Sequence, residues 1–184
     1  MNGNKREWNK DGNIILVGFM GTGKSTVGRR LAKLLDWEFI DTDIEIERLL
    51  ETTVAEIFKR HGEVRFRSEE RLLVRRLADK RKTVIATGGG TVLNPDNWSD
   101  LAKSGVVFGL YAPLDVIYQR VGHRNDRPLL RGERKEVEEL WARRQPVYNQ
   151  ADYTIDTTDK GIDEVVEEIY QIYKGGKVGA GTED

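Results

Sequence analysis

Cysteine is missing from the sequence altogether, which removes disulfides and thiolate metal sites from consideration. Histidine is almost as scarce. Its two copies, His61 and His123, stand far apart without clustered partners, so they read as solvated side chains rather than metal ligands. Neither sign of charge dominates: 30 Lys and Arg face 31 Asp and Glu, and the net charge of −1 argues against a general nucleic-acid binder. No apolar run approaches a membrane span, and the opening MNGNKREWNKDGN has no apolar core for a signal peptide. A cytoplasmic protein that engages neither membrane nor nucleic acid is therefore expected. Internal repeats and a linker between two domains are also missing. The 184 residues suit one well-buried α/β domain, read as 13–174 between flexible tails at 1–12 and 175–184.

What the sequence does have begins with NIILVGF, a short apolar run of the kind that forms a buried parallel strand. It leads straight into the spacing G-x-x-x-x-G-K-S from Gly18 to Ser25. Glycines there let successive N–H groups point at an anion, and a helix starting near Ser25 adds its positive end. Lys24 can reach the outer phosphates of a nucleotide, and the Ser25 hydroxyl is suited to Mg²⁺. Strand, loop, lysine, hydroxyl and helix in this order make a P-loop.

Strand and helix patterns alternate along the rest of the chain. WEFI, TVIA, GVVFGLY and DYTID read as further strands. Helical spacing is seen after Ser25, over 44–50, 54–60, 64–80 and 113–121, up to about Gln150, and from Gly161 to Lys174. Such alternation implies a parallel sheet with helices on both faces and a ligand site beyond the carboxyl ends of the strands. DTD, TGGG and the segment after GLYAPLD all fall there.

Asp41 and Asp43 in DTD would point the same way in extended backbone, and two such carboxylates repel unless a cation or a donor-rich ligand lies near. With no aspartate ending the third strand, Asp41 is the candidate to hold Mg²⁺ through water. The competing structural role is helix capping by Thr42 or Asp43 ahead of Ile44. Thr87–Gly90 offers three adjacent glycines, Gly88, Gly89 and Gly90, whose N–H groups can approach a ligand. Arg67 and Glu70 share one helical face, as an ion pair or as part of a pocket for a small polar acid. Seven arginines between Arg120 and Arg144 form a positive region that can close as a lid over about 120–134.

In order, GFMGTGKSTVGRRLA, FIDTD, IFKRHGEVRFRSEE, VIATGGGTV, RPLL and RQPVYNQADYTIDT resemble shikimate kinase over about residues 13–173. The resemblance implies a P-loop NTPase three-layer sandwich, a five-stranded parallel sheet with a lid, working as a monomer on ATP and shikimate with Mg²⁺. By the same resemblance Gly21, Thr22, Gly23, Lys24, Ser25 and Thr26 bind the ATP phosphates, and Ser25 and Asp41 serve the metal. Asp43 binds the shikimate hydroxyls and acts with Lys24 and Arg127 in catalysis. Arg67 and Arg144 hold the shikimate carboxylate; Gly89 and Glu70 complete the pocket, and Phe58 and Phe66 form its apolar wall. Arg127 of the lid meets the transferring phosphoryl group, and Arg120 or Arg124 approaches the adenine. Arg144 is preferred to Arg143 because it stands two residues before Pro146. A gluconate-type kinase gives no reason for the DTD, FR and RPLL set, and a nucleoside-monophosphate kinase needs a base-binding segment that is not evident. A binding domain without catalysis predicts the loss of Lys24, Asp43 or Arg127, and all three are present.

Overall fold

The run NIILV forms β1 (Asn13–Val17), buried along its whole length. Alternation of side chains divides it between two cores: Ile15 and Val17 pack on one face of the sheet, Ile14 and Leu16 on the other. In the computed structural model, which describes Trp8 and residues 11–121 and 134–175, four more strands join it. These are β2 (Glu38–Asp41), β3 (Thr83–Ala86), β4 (Gly105–Tyr111) and β5 (Tyr153–Asp156). All pairings are parallel and the order is β2-β3-β1-β4-β5. The chain therefore winds outward from β1 in both directions.

The helices are α1 (Lys24–Leu35), α2 (Thr42–Leu50), α3 (Val54–Ala78), α4 (Pro95–Ser104), α5 (Leu114–Val121), α6 (Arg134–Tyr148) and α7 (Ile162–Gly175). Val27 and Leu31 of α1 pack with Val165 and Ile169 of α7 on one face of the sheet. Ile57, Leu73 and Val74 of α3, Leu101 of α4 and Ile117 of α5 cover the other. The expected sandwich is thus formed.

Two readings of the sequence need correction. The connection from TGGG to β4 contains a helix, α4, started by Asn94, whose side chain accepts the Asp96 N–H, with Pro95 in the first turn. The helix after DTD starts at Thr42, and its cap is Asp41, not Thr42 or Asp43. Most of the expected tails (1–7, 9–10 and 176–184) and the middle of the expected lid, including Arg124 and Arg127, lie outside the described residues.

Candidate active site

The phosphate loop follows β1 and ends at Gly23, whose left-handed φ of 97° turns the chain into α1. That conformation strains any residue with a Cβ. Lys24 is 8% exposed, and its ammonium donates to the carbonyls of Gly18 and Phe19, both at 2.9 Å. Its charge is thereby held at the mouth of the loop. Thr22 closes the turn by donating to Phe19 O at 2.8 Å, while Thr26 is exposed one residue beyond Ser25. Ser25 Oγ donates to Asp41 Oδ2 at 2.5 Å, so the hydroxyl of the loop and the carboxylate from the end of β2 meet directly.

Asp41 has a second role. Its Oδ1 accepts the N–H groups of Asp43 and Ile44 at 3.1 and 3.4 Å. Capping and proximity to the loop thus use opposite oxygens of one side chain. Asp43 lies in the first turn of α2 rather than in extended backbone, and it faces the TGGG turn. A Cβ on Gly88 would fall 2.3 Å from Asp43 Oδ1. The two aspartates therefore do not form the parallel pair expected from extended geometry.

The glycine turn gathers the remaining groups. A Cβ on Gly89 would lie 3.4 Å from Arg144 Nη1, and one on Gly90 would lie 2.7 Å from Arg67 Nη2. One carboxylate and two guanidinium groups thus each pack against one of three successive glycines. Thr87 anchors the turn by donating both its N–H and its hydroxyl to Leu16 O, at 3.0 and 3.1 Å. Gly88 N–H donates to Thr42 Oγ1 at 2.8 Å, and Gly89 O accepts from Tyr148 Oη at 2.6 Å. Among the described residues, the N–H groups of Gly89 and Gly90 have no hydrogen-bond partner. They are the donors the turn has left over.

Arg67 is half-buried. Its Nη1 donates to Glu70 at 2.9 Å and its Nε to Glu63 at 3.2 Å. Burial disfavours its charged form, but the charge and hydrogen bond of Glu70, with those of Glu63, outweigh this and raise its pKa. The guanidinium also lies over Phe66, 5.3 Å from the ring centre. Phe58 and Phe66 stand only 4.9 Å apart, centroid to centroid. Eight residues of straight helix span about 12 Å. The contact exists because Gly62, at φ 77° and ψ 174°, breaks α3 between the two rings.

Arg144 is half-buried while Arg143 is exposed, which separates the two neighbours. The Arg144 guanidinium stands 6.0 Å from the Phe19 ring centre, beside the phosphate loop, and its Nε is buried without a partner among the described residues. Tyr148, one turn on, is 4% exposed; burial raises its pKa against the opposing pull of Arg144. No role was expected for Tyr148, which stands two residues after Pro146. Arg120 is directed away from the turn: it donates to Thr157 Oγ1 at 2.8 Å, to Thr157 O and to Thr158 O at 3.1 Å, tying α5 to the loop after β5.

Charge, glycine turn and phosphate loop converge at the carboxyl ends of β1, β2 and β3, and comparison with known proteins gives the arrangement a family. The family model "Shikimate kinase" matches residues 20–174. The chain belongs to the shikimate kinase family. It is 52% identical over 164 residues to the shikimate kinase of Pelotomaculum thermopropionicum, with 88% of this chain and 95% of the relative covered. Identity to the Desulforudis audaxviator shikimate kinase is 53% over 163 residues, covering 88% and 86%. Among solved structures, the Acinetobacter baumannii shikimate kinase in complex with shikimate superposes with a TM-score of 0.85 at 39% identity, covering 91% of this chain and 96% of the other. Membership in the family makes the protein an ATP-dependent phosphotransferase. No helix among the described residues is long and apolar enough to cross a membrane.

Proposed function

We propose that this chain transfers the γ-phosphoryl group of ATP to the 3-hydroxyl of shikimate. The observation that carries the reading is the meeting of Asp43, Arg144 and Arg67 over three successive glycines beside the phosphate loop. That set suits a small acid bearing several hydroxyls. Arg67 and Arg144 take the carboxylate by charge-assisted hydrogen bonds, Asp43 takes the hydroxyls, and the spare N–H groups of Gly89 and Gly90 add donors. Glu70 backs Arg67, and Phe58 and Phe66 wall the apolar side of the ring.

In the reaction the 3-hydroxyl oxygen bonds to the γ-phosphorus as the bond from that phosphorus to the β–γ bridging oxygen breaks, and ADP leaves. The hydroxyl proton passes to the Asp43 carboxylate. Most of the catalysis in such a transfer is positioning and charge neutralisation. Gly21–Thr26 cradle the phosphates, and Lys24 neutralises the developing charge at the mouth of the loop. Ser25 and Asp41 fit Mg²⁺: their oxygens lie 2.5 Å apart beside the loop, and this ion takes oxygen ligands from one or two protein groups while keeping waters. When bound, the ion supplies charge neutralisation across the β- and γ-phosphates.

By resemblance, Arg127 adds charge at the γ-phosphoryl, with Arg120 and Arg124 on the adenine side. Residues 13–174 are read as one catalytic domain, with its lid over about 120–134, acting as a cytoplasmic monomer. Product analysis tests the reading. With ATP, Mg²⁺ and shikimate, the ³¹P spectrum should gain one phosphate monoester coupled to the proton on carbon 3. Coupling to another ring position, or no ester at all, would reject it.

A further inference from the structure

Glu70 is 1% exposed, and a buried carboxylate needs partners for both oxygens. Oε2 accepts from Arg67 Nη1 at 2.9 Å, and Oε1 accepts from Thr91 Oγ1 at 2.7 Å. Since a carboxylate only accepts, the hydroxyl proton of Thr91 is committed to Glu70. Thr42 Oγ1 lies 3.5 Å from Thr91 Oγ1, so across this pair Thr42 must donate. Thr42 in turn accepts the Gly88 N–H at 2.8 Å. The bonds therefore run in one direction, from the glycine turn through two hydroxyls to the carboxylate that holds Arg67. Both threonines are fully buried, so each hydroxyl polarises the next in a region without water to substitute for it.

The backbone of Thr91 is held as well as its hydroxyl. Thr91 N–H donates to Gly88 O at 3.1 Å, and Thr91 O accepts from Asn97 Nδ2 at 2.9 Å. At its two ends the row reaches opposite parts of the site. Gly88 packs against Asp43, and Arg67 packs against Gly90.

We infer that Thr42 and Thr91 are positioning residues that set the separation between the carboxylate-binding guanidinium and the hydroxyl-binding carboxylate. The inference rests on the shikimate reading above. Thr91 keeps Oε1 of Glu70 occupied and so restricts Arg67 to the other oxygen. Without the Thr91 hydroxyl, Oε1 loses its partner, and the five-donor fork of Arg67 is the adjacent group able to take both oxygens. The guanidinium then turns toward Glu70 and off Gly90, and Glu70 competes with the carboxylate of the acceptor. Without the Thr42 hydroxyl, Gly88 N–H is stranded beside Asp43. Either loss acts on acceptor binding before it acts on the transferring phosphate.

The test is ADP release by the full chain, with shikimate and ATP varied separately, in Thr91→Val, Thr42→Val, the double variant and the two serine replacements. Thr91→Val should raise KM for shikimate about tenfold, the scale of one charge-assisted hydrogen bond diverted from the acceptor's carboxylate, with kcat and KM for ATP within about twofold of wild type. Thr91→Ser, which keeps the hydroxyl, should stay close to wild type. The double valine variant should cost less than the product of the single effects, because both break one chain. An unchanged KM for shikimate in Thr91→Val would overturn the inference, as would equal rises in both KM values. Failure of Thr91→Val to fold while Thr91→Ser folds normally would also overturn it, by making the hydroxyl a stability element. Absence of shikimate-dependent ADP release in the wild type would instead reject the proposed function.

Discussion

Two aspartates separated by one threonine acquire different partners because α2 starts between them. Asp41 caps the helix with one oxygen and meets Ser25 with the other, whereas Asp43 sits in the first turn against Gly88. Asparagine caps about as well as aspartate, so paired substitutions separate their roles. Asp43→Asn removes charge and proton affinity at the acceptor hydroxyl, and turnover should fall by roughly 10²-fold or more with little change in melting temperature. Asp41→Asn should also melt near wild type, but it should need more Mg²⁺ to reach half-maximal rate. Calorimetry and a Mg²⁺ titration of ADP release check both. Wild-type turnover in Asp43→Asn would leave the acceptor site without its base, and an unshifted Mg²⁺ requirement in Asp41→Asn would remove Asp41 from the metal site.

At the scale of elements, α3 depends on one residue for its shape. Gly62 has φ 77° and ψ 174°, a region open essentially to glycine alone, and no atom lies near a Cβ built there. Steric crowding therefore does not enter; the conformation alone decides. Gly62→Ala should destabilise the fold by about 1–3 kcal/mol if the break persists. If the helix straightens instead, the 4.9 Å contact of Phe58 with Phe66 is lost. In both cases KM for shikimate should rise more than KM for ATP, because the phosphate loop belongs to a different element. Urea unfolding and two-substrate kinetics measure this. Wild-type stability and KM together would remove the helix break from the account.

Across the whole molecule, Tyr148 links the last third of the chain to the glycine turn: its hydroxyl donates to Gly89 O, 59 residues away in sequence. Burial, opposed by Arg144, raises its pKa above the ordinary 10.0. A raised folded value means that the neutral phenol's contribution is fully present below pH 10 and is lost as pH climbs through the folded pKa. Tyr148→Phe should accordingly be less stable than wild type at neutral pH, by about 0.5–1.5 kcal/mol for one hydrogen bond. That difference should shrink above pH 10. Denaturant unfolding at neutral and alkaline pH tests the sign.

The parts of this structure that show in the sequence are those with local signals. The P-loop spacing, the alternation behind the parallel sheet, the break between the two halves of α3 and the DTD, FR and TGGG motifs are all readable from short windows. α4 is harder to see because its buried set is Asn97, Leu101 and Ser104, so its apolar stripe is faint even though Asn94 and Pro95 mark its start. Thr42, Thr91 and Tyr148 carry no local signal for the contacts they make here, even though Thr42 lies within DTD and is a candidate cap. They are ordinary polar residues until the fold brings Glu70 to Thr91 and Gly88 to Thr42. The choice of Asp41 as the cap depends on where the helix starts, which periodicity leaves uncertain by a residue or two.

Acceptor choice decides what this enzyme does, and coupled ADP release by the full chain with ATP and Mg²⁺, using shikimate, gluconate and AMP side by side, measures it. Shikimate should give rapid release, and the other two only background rates. Release that is no faster with shikimate than without an acceptor, or faster with gluconate or AMP, would contradict shikimate as the acceptor.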